Sequence, residues 1–386
     1  MIENMSGRER WYSALNFKEV DRLPFWPKLT NHYSRFQVEP FRNWDDRKIH
    51  DWLGSDKQYF VDSCIRDIRK NTSLEINNNG KEMNIKYITR IGISEFNLIF
   101  DSKSFSWHPI KYPIKEADDI KIMTEFYSDY TVEINKVELD KVKTIKKELG
   151  DKGVISTFLE GEKGTLPTGP GETPLMNFVQ SLAGIDNSHI LLFDHKDEVE
   201  ELFEAIHKVM IQKVKLVNAY HPADLIYFTE NTSTTLISPD QFRRYSLANL
   251  KEYNNIIDKS KHFSILHMCG HLKDVLRDIS GINANAIEAL STPPIGNVRL
   301  KDARKDCPDK CLIGGTNAIL WTKSPKDIIR EIKKELDSLT DHRGIVVTSG
   351  GVHPSMCKPE TIKEVFNWLK GYKPRFLKLP YLYLNK

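Results

Sequence analysis

The chain has no long hydrophobic run, little cysteine and almost no charge imbalance, and each shortage excludes a class of function. Segments of about twenty apolar residues, the length needed to cross a bilayer, are missing, and Met1 to Arg10 is polar where a secretory leader would carry an apolar stretch. The expectation is a cytoplasmic protein that does not act on membranes. Lys and Arg number 56 against 53 Asp and Glu, for a net charge of +3, too balanced for a nucleic-acid partner. Only five cysteines occur in 386 residues: Cys64, Cys269, Cys307, Cys311 and Cys357. An odd, sparse set in a leaderless chain argues against a disulfide framework and for free thiols, some of them metal ligands. Also missing are a G-K-[ST] after the glycine-rich stretch Glu160 to Gly171, which reads as a lid rather than a phosphate loop, and any low-complexity linker or internal repeat. A single domain over residues 1–386 follows.

What is present is a rhythm of short apolar strands and helices. Ser6 caps a helix running through Leu15. Strand markers follow at Phe25, Phe60, Val154, Leu225, Phe263, Ala286, Cys311 and Ile345, with helices between them, including a helical reading of residues 43–70. Eight strands alternating with helices specify an α/β protein, a (β/α)8 TIM barrel with N-terminal helices. Between about 72 and 112 the period changes to two, with Met83, Ile85 and Tyr87 set against Asn84 and Lys86. That pattern predicts a small antiparallel β-meander inserted into the barrel.

In such barrels chemistry sits at the carboxyl ends of the strands. Residues there include Glu160, Glu162, Glu230, Asn231, His267, Cys269, Glu288, Thr316, Asn317, His353 and Cys357. His267 and Cys269 are two apart on an extended segment and project to one side. Imidazole nitrogen and thiolate sulfur suit zinc, which as a catalytic ion needs three protein ligands and one open position. Glu288 stands alone in the apolar strand Ala286 to Leu290, and burying it demands a metal or a basic partner. His267, Cys269 and Cys357, with Glu288 as an exchangeable fourth ligand, form the zinc hypothesis. Cys357 as an inert packed thiol is the competing reading, and Cys307 and Cys311 read as structural. Glu230 is assigned to proton transfer or orientation and Asn231 to hydrogen bonding with substrate.

Arg8 to Pro24, the turn Tyr112-Pro113-Ile114-Lys115, His267-x-Cys269-Gly270 and the stretch from Glu288 to Gly296 resemble the uroporphyrinogen decarboxylase superfamily over nearly the whole chain. The H-x-C-G element looks like that of its zinc-dependent methylcobamide:coenzyme M methyltransferases and related corrinoid methyltransferases. It is also similar to the His, Cys, Glu, Cys zinc set of cobalamin-independent methionine synthase. The resemblance implies an enzyme that moves a methyl group between a small molecule, a thiol or a methoxylated or methylated compound, and a methyl-corrinoid. No D-x-H-x-x-G signature is present, so the corrinoid would arrive on a partner protein. A homodimer is the default expectation for a symmetric soluble enzyme.

Two departures stand out. Many methyltransferase relatives place the last cysteine directly after the glycine ending strand eight, where this chain has Val352, so Cys357 must reach in from five residues on and His353 competes for the position. Decarboxylases of the family carry arginines after the first strand, and Trp26 to Asn31 has none. A metal-independent lyase and a non-catalytic ligand- or corrinoid-binding barrel are the alternatives.

Overall fold

The backbone hydrogen bonds of seven strands fall in one sheet. In a computed structural model describing residues 3–30, 32–161 and 172–377, these are β1 (Lys57–Val61), β8 (Gly153–Phe158), β9 (Leu225–Thr229), β10 (Phe263–His267), β11 (Ala286–Leu290), β12 (Cys311–Gly314) and β13 (Ile345–Val347), in that spatial order. Neighbours β8·β9, β10·β11, β11·β12 and β12·β13 pair in parallel. β8, β9, β11, β12 and β13 are apolar and buried almost throughout, the pattern of parallel strands covered on both faces. The protein is therefore an α/β fold built on a parallel sheet. The residue marked as first strand, Phe25, makes a single parallel bridge to Val347. Pro24 and Pro27 flank it and remove the donors a longer ladder would need.

The chain divides into two compact units. One comprises 1–59, 149–155 and 265–386, the other 60–148 and 156–264.

In the first unit the helix Gly7–Leu15 begins at Ser6 with a reciprocal capping box, Glu9 N–H to Ser6 Oγ at 3.2 Å and Ser6 N–H to Glu9 Oε2 at 2.7 Å. Its Arg10 donates to Asp56 Oδ1 at 2.5 Å and to Asp21 Oδ1 at 2.7 Å, while Arg22 donates to Asp56 Oδ2 at 2.6 Å. Asp56 also accepts the Phe25 N–H at 2.8 Å. Two guanidiniums and one amide thus saturate a carboxylate that is buried, the condition under which a buried charge is tolerable. Phe25 stacks on Phe366 of the helix Pro359–Gly371 with centroids 5.0 Å apart. The helical reading of 43–70 is corrected. The helix covers only Asp46–Leu53 and stops at Gly54, whose φ of 75° no side chain opposes, and β1 and β2 (Ile65–Ile68) follow.

In the second unit β3 (Ser73–Asn78), β4 (Glu82–Ile88), β5 (Ile93–Asp101) and β6 (Ser106–Lys111) form an antiparallel sheet in sequence order. Met83, Ile85 and Tyr87 point inward from β4, and Tyr87 meets Phe126 of the helix Ala117–Ser128 edge-on at 4.9 Å. β7 (Thr131–Ile134) pairs antiparallel with β2. The glycine-rich stretch read as a lid lies, from Glu162 on, outside the described residues. Among the described residues no helix is long and apolar enough to cross a membrane.

Candidate functional site

β10 ends at His267, and its parallel register sets His267 directly opposite Glu288 of β11. Just after Glu288 the register of β11 shifts against β12, with Ala289 held at φ 67°. A bulge of this kind re-aims side chains at a strand end, and here the Glu288 carboxylate receives two partners. His267 Nδ1 hydrogen-bonds Oε2, and Lys28 Nζ donates to Oε1 at 2.7 Å. Cys269 hydrogen-bonds His267. His267, Cys269 and Glu288 are thereby brought together, joined by a lysine.

Each group is tuned by the others. Burial pushes Glu288 toward the neutral acid, but Lys28 and then His267 outweigh it and hold the carboxyl down at about 2. Burial disfavours charge on His267 as well, and Glu288 reverses that, raising it above the ordinary value. For Cys269 burial raises the thiol, while the His267 hydrogen bond and charge lower it further, leaving it below ordinary. The cluster favours a thiolate beside a cationic ring, the environment of a reactive cysteine.

Cys357 is buried, its sulfur lies 3.9 Å from the Lys358 carbonyl, and its own carbonyl accepts from Tyr33 Oη. Burial pushes its thiol up to about 12. His353 behaves differently. It is buried against the Trp321 ring at 4.3 Å between centroids, its backbone N–H donates to the Lys28 carbonyl at 2.9 Å, and neither ring nitrogen has a partner among the described residues. Burial drives it down to about 3, so the imidazole is neutral with a lone pair to give.

Does this set fit zinc? Among the described residues no group of three or more His, Cys, Asp or Glu is arranged around a metal position. The donor chemistry fits nonetheless: a thiol shifted toward thiolate, imidazole nitrogen and a carboxylate on adjacent strand ends, and, on the residue bonded to the Lys28 carbonyl, a neutral imidazole without a partner among the described residues. Cys307 and Cys311 take no part. Both are buried with thiols near 12, and Cys307 Sγ donates to the Leu276 carbonyl at 3.2 Å.

The second unit holds the other two predicted residues. Glu230 follows β9 and is inaccessible to solvent. Its Oε1 accepts from Thr173 Oγ1 at 2.8 Å and Thr232 Oγ1 at 3.2 Å, and its Oε2 from the Thr173 N–H at 2.8 Å. Despite these donors, burial lifts it to about 7. Beside it is Glu172, lifted to about 8 by burial and then by the Glu230 charge, and hydrogen-bonded by Asn177 and Asn231. Glu172 Oε2 has no partner among the described residues. Asn231 sits at φ 50°, a left-handed conformation that asparagine tolerates better than most residues. Two buried carboxyls this close cannot both ionise near neutrality, so the pair retains a proton there.

Thr316 and Asn317 serve the scaffold. Thr316 donates to the Thr348 carbonyl at 2.8 Å, and Asn317 caps the turn at Ala318–Thr322. Sequence reasoning missed Lys28 and Glu172. The signal for Lys28 was Glu288 itself, an acid in an apolar strand, and the one cation in the apolar segment Leu23 to Leu29 answers it. Glu172 carried only a weak signal, an acid directly before the buried run Thr173 to Met176.

Comparison with known proteins finds likenesses in family, sequence and structure. The uroporphyrinogen decarboxylase (URO-D) family model matches residues 126–372, well over half of the chain. A methylcobamide:CoM methyltransferase, MtbA, of Methanosarcina mazei is 25% identical over 252 residues, 62% of this chain and 69% of that protein. A solved structure of a methyltransferase from Methanosarcina mazei superposes with a TM-score of 0.58 at 14% identity, covering 95% of this chain and 99% of the other. At that identity the superposition speaks for the fold alone.

Proposed function

The chain belongs to the uroporphyrinogen decarboxylase (URO-D) family, and from that premise we propose that it is a zinc-dependent methyltransferase exchanging a methyl group between a small molecule and a corrinoid carried by a partner protein. The observation that carries this reading is the juxtaposition of His267, Cys269 and Glu288 on adjacent strand ends, in a chain whose curated relative is named for methyl transfer from a methylcobamide. His267 and Cys269 would hold the metal, with Glu288 and one of His353 or Cys357 completing the set. The unpartnered ring nitrogens favour His353. Bound there, zinc supplies Lewis acidity that lowers the pKa of a substrate thiol or polarises a methoxy group.

Either direction of transfer moves a proton as well as a methyl group. A thiol that accepts a methyl releases one, and a methoxy group that loses its methyl takes one up. Glu230, poised near neutrality, suits the role of proton acceptor or donor, with Glu172 as its reservoir, and Asn231, which hydrogen-bonds Glu172, is the candidate for a hydrogen bond to substrate. We also read the parallel sheet as the core of a (β/α)8 barrel in which Phe25 takes the eighth position. The Trp26 N–H to Val347 carbonyl bond at 3.2 Å and the Asp56 N–H to Phe25 carbonyl bond at 3.0 Å support that reading.

Elemental analysis of untagged protein tests the proposal. About one zinc per chain is expected in wild type, absent in Cys269→Ala. Its loss in His353→Ala but retention in Cys357→Ala would assign the remaining ligand. Methyl transfer from methylcobalamin to a simple thiol, followed by the absorbance of the cob(I)alamin product, should track zinc content. Wild type that takes up no zinc from supplemented medium would refute the mechanism.

A further inference from the structure

We infer that Lys28 is an internal competitor for the metal: its ammonium holds Glu288 Oε1 and gives that oxygen up when a divalent cation binds, so that Lys28 sets the affinity of the His267, Cys269 and Glu288 centre. The inference rests on the zinc reading above. Both Glu288 oxygens are engaged, Oε2 by His267 and Oε1 by Lys28 at 2.7 Å, and the carboxylate is buried. A cation ligated by Glu288 would share an oxygen with one of these partners, and on Oε1 it would meet the Lys28 ammonium, a like charge, at close range. His267 can ligate through Nε2 while its Nδ1–H stays on Oε2, the usual arrangement of a metal-bound histidine with its carboxylate. Lys28 has no such option. Its charge acts on both Cys269 and His267, so an ammonium left in place would repel a dication among those donors.

The lysine has somewhere to go. Its side chain is largely buried, 10% exposed, but its Nζ already lies 5.8 Å from the centre of the Trp26 ring, so a change of partner needs only a short swing of the ammonium. The face of that ring is an alternative partner for a displaced ammonium. A rival arrangement is physically definite: Lys28 stays, Glu288 never ligates, and the carboxylate only orients His267. The two arrangements predict opposite effects of removing Lys28. If Lys28 competes, removing it tightens metal binding; if it braces Glu288, removing it loosens the histidine and weakens binding.

Zinc affinity measured by competition with a chromophoric chelator decides between them, using wild type, Lys28→Met, Lys28→Arg, Glu288→Gln and the Lys28→Met/Glu288→Gln double variant. Lys28→Met should bind roughly 10- to 100-fold more tightly, the range that loss of one charge-assisted hydrogen bond represents in an equilibrium constant. Lys28→Arg, which keeps the competing charge, should stay near wild type. In the Glu288→Gln background the Lys28→Met effect should shrink to within about threefold, because the carboxylate charge that the ammonium and the metal contest is gone. Lys28→Gln serves in place of Lys28→Met if the latter does not fold. Unchanged or weaker binding by Lys28→Met, with wild type retaining zinc that Cys269→Ala loses, overturns the inference and leaves the zinc reading intact. Zinc binding by neither wild type nor Lys28→Met overturns both.

Discussion

Replacing Glu172 by glutamine tests the buried carboxyl pair without any assumption about turnover. Burial and the neighbouring Glu230 lift Glu172 from an ordinary 4.5 to about 8, and burial lifts Glu230 to about 7. A carboxyl with a raised folded-state pKa keeps its proton in the native protein while the unfolded chain has already released it. Its stabilising contribution is therefore complete below about pH 4.5 and is lost as pH rises through the folded value. At 1.36 kcal/mol per unit, the proton held by Glu172 corresponds to roughly 3–5 kcal/mol lost between pH 4.5 and 8. Unfolding entropy of about 2.1 cal/mol/K per residue makes that roughly 4–6 °C in Tm for a chain of 386 residues. Melting curves of wild type and Glu172→Gln from pH 5 to 9 read the difference, since every other titrating group is common to both. Wild type should lose stability more steeply from pH 5 up to about 8, and the variant should melt higher at pH 9, where it has no buried charge to form beside Glu230. Parallel curves would refute the reasoning, for they would mean that Glu172 titrates alike in the folded and unfolded chain.

Two further outcomes follow from burial. Asp56→Ala leaves Arg10 and Arg22 without their shared carboxylate and should cost about 3–5 kcal/mol, seen as a Tm fall of several degrees; a change within the error of the melt would show that the network is dispensable. Cys269 is the only one of the five cysteines that is not buried, so brief iodoacetamide treatment of chelator-washed protein, read by peptide mass spectrometry, should alkylate it well before the other four. Equal labelling of Cys357 would mean that the loop carrying it opens readily.

The periodicities were legible because they are local consequences of burial. Alternation along Met83 to Tyr87 declared a sheet with one face covered, and apolar runs at Val154, Leu225, Ala286 and Cys311 declared strands covered on both. Ser6 with Glu9 three residues on declared a capped helix. The reading of 43–70 as one helix failed because helical period in a short window says nothing about where a glycine will turn the chain, and Gly54 ends it.

For the site, the sequence by itself determined the residue types and their strand ends: a histidine and a cysteine two apart, and an acid in an apolar strand that needed a cation or a metal. Tertiary structure alone decided which partner that acid has. Lys28 lies 260 positions from Glu288, and pairing across that distance depends on strand register, which local composition does not encode. The same holds for Glu172 beside Glu230, and for His353, whose backbone is bonded to Lys28 and whose neutral ring has no partner among the described residues. Chemistry is written residue by residue, whereas the electrostatic value of each group is set by what the fold packs against it.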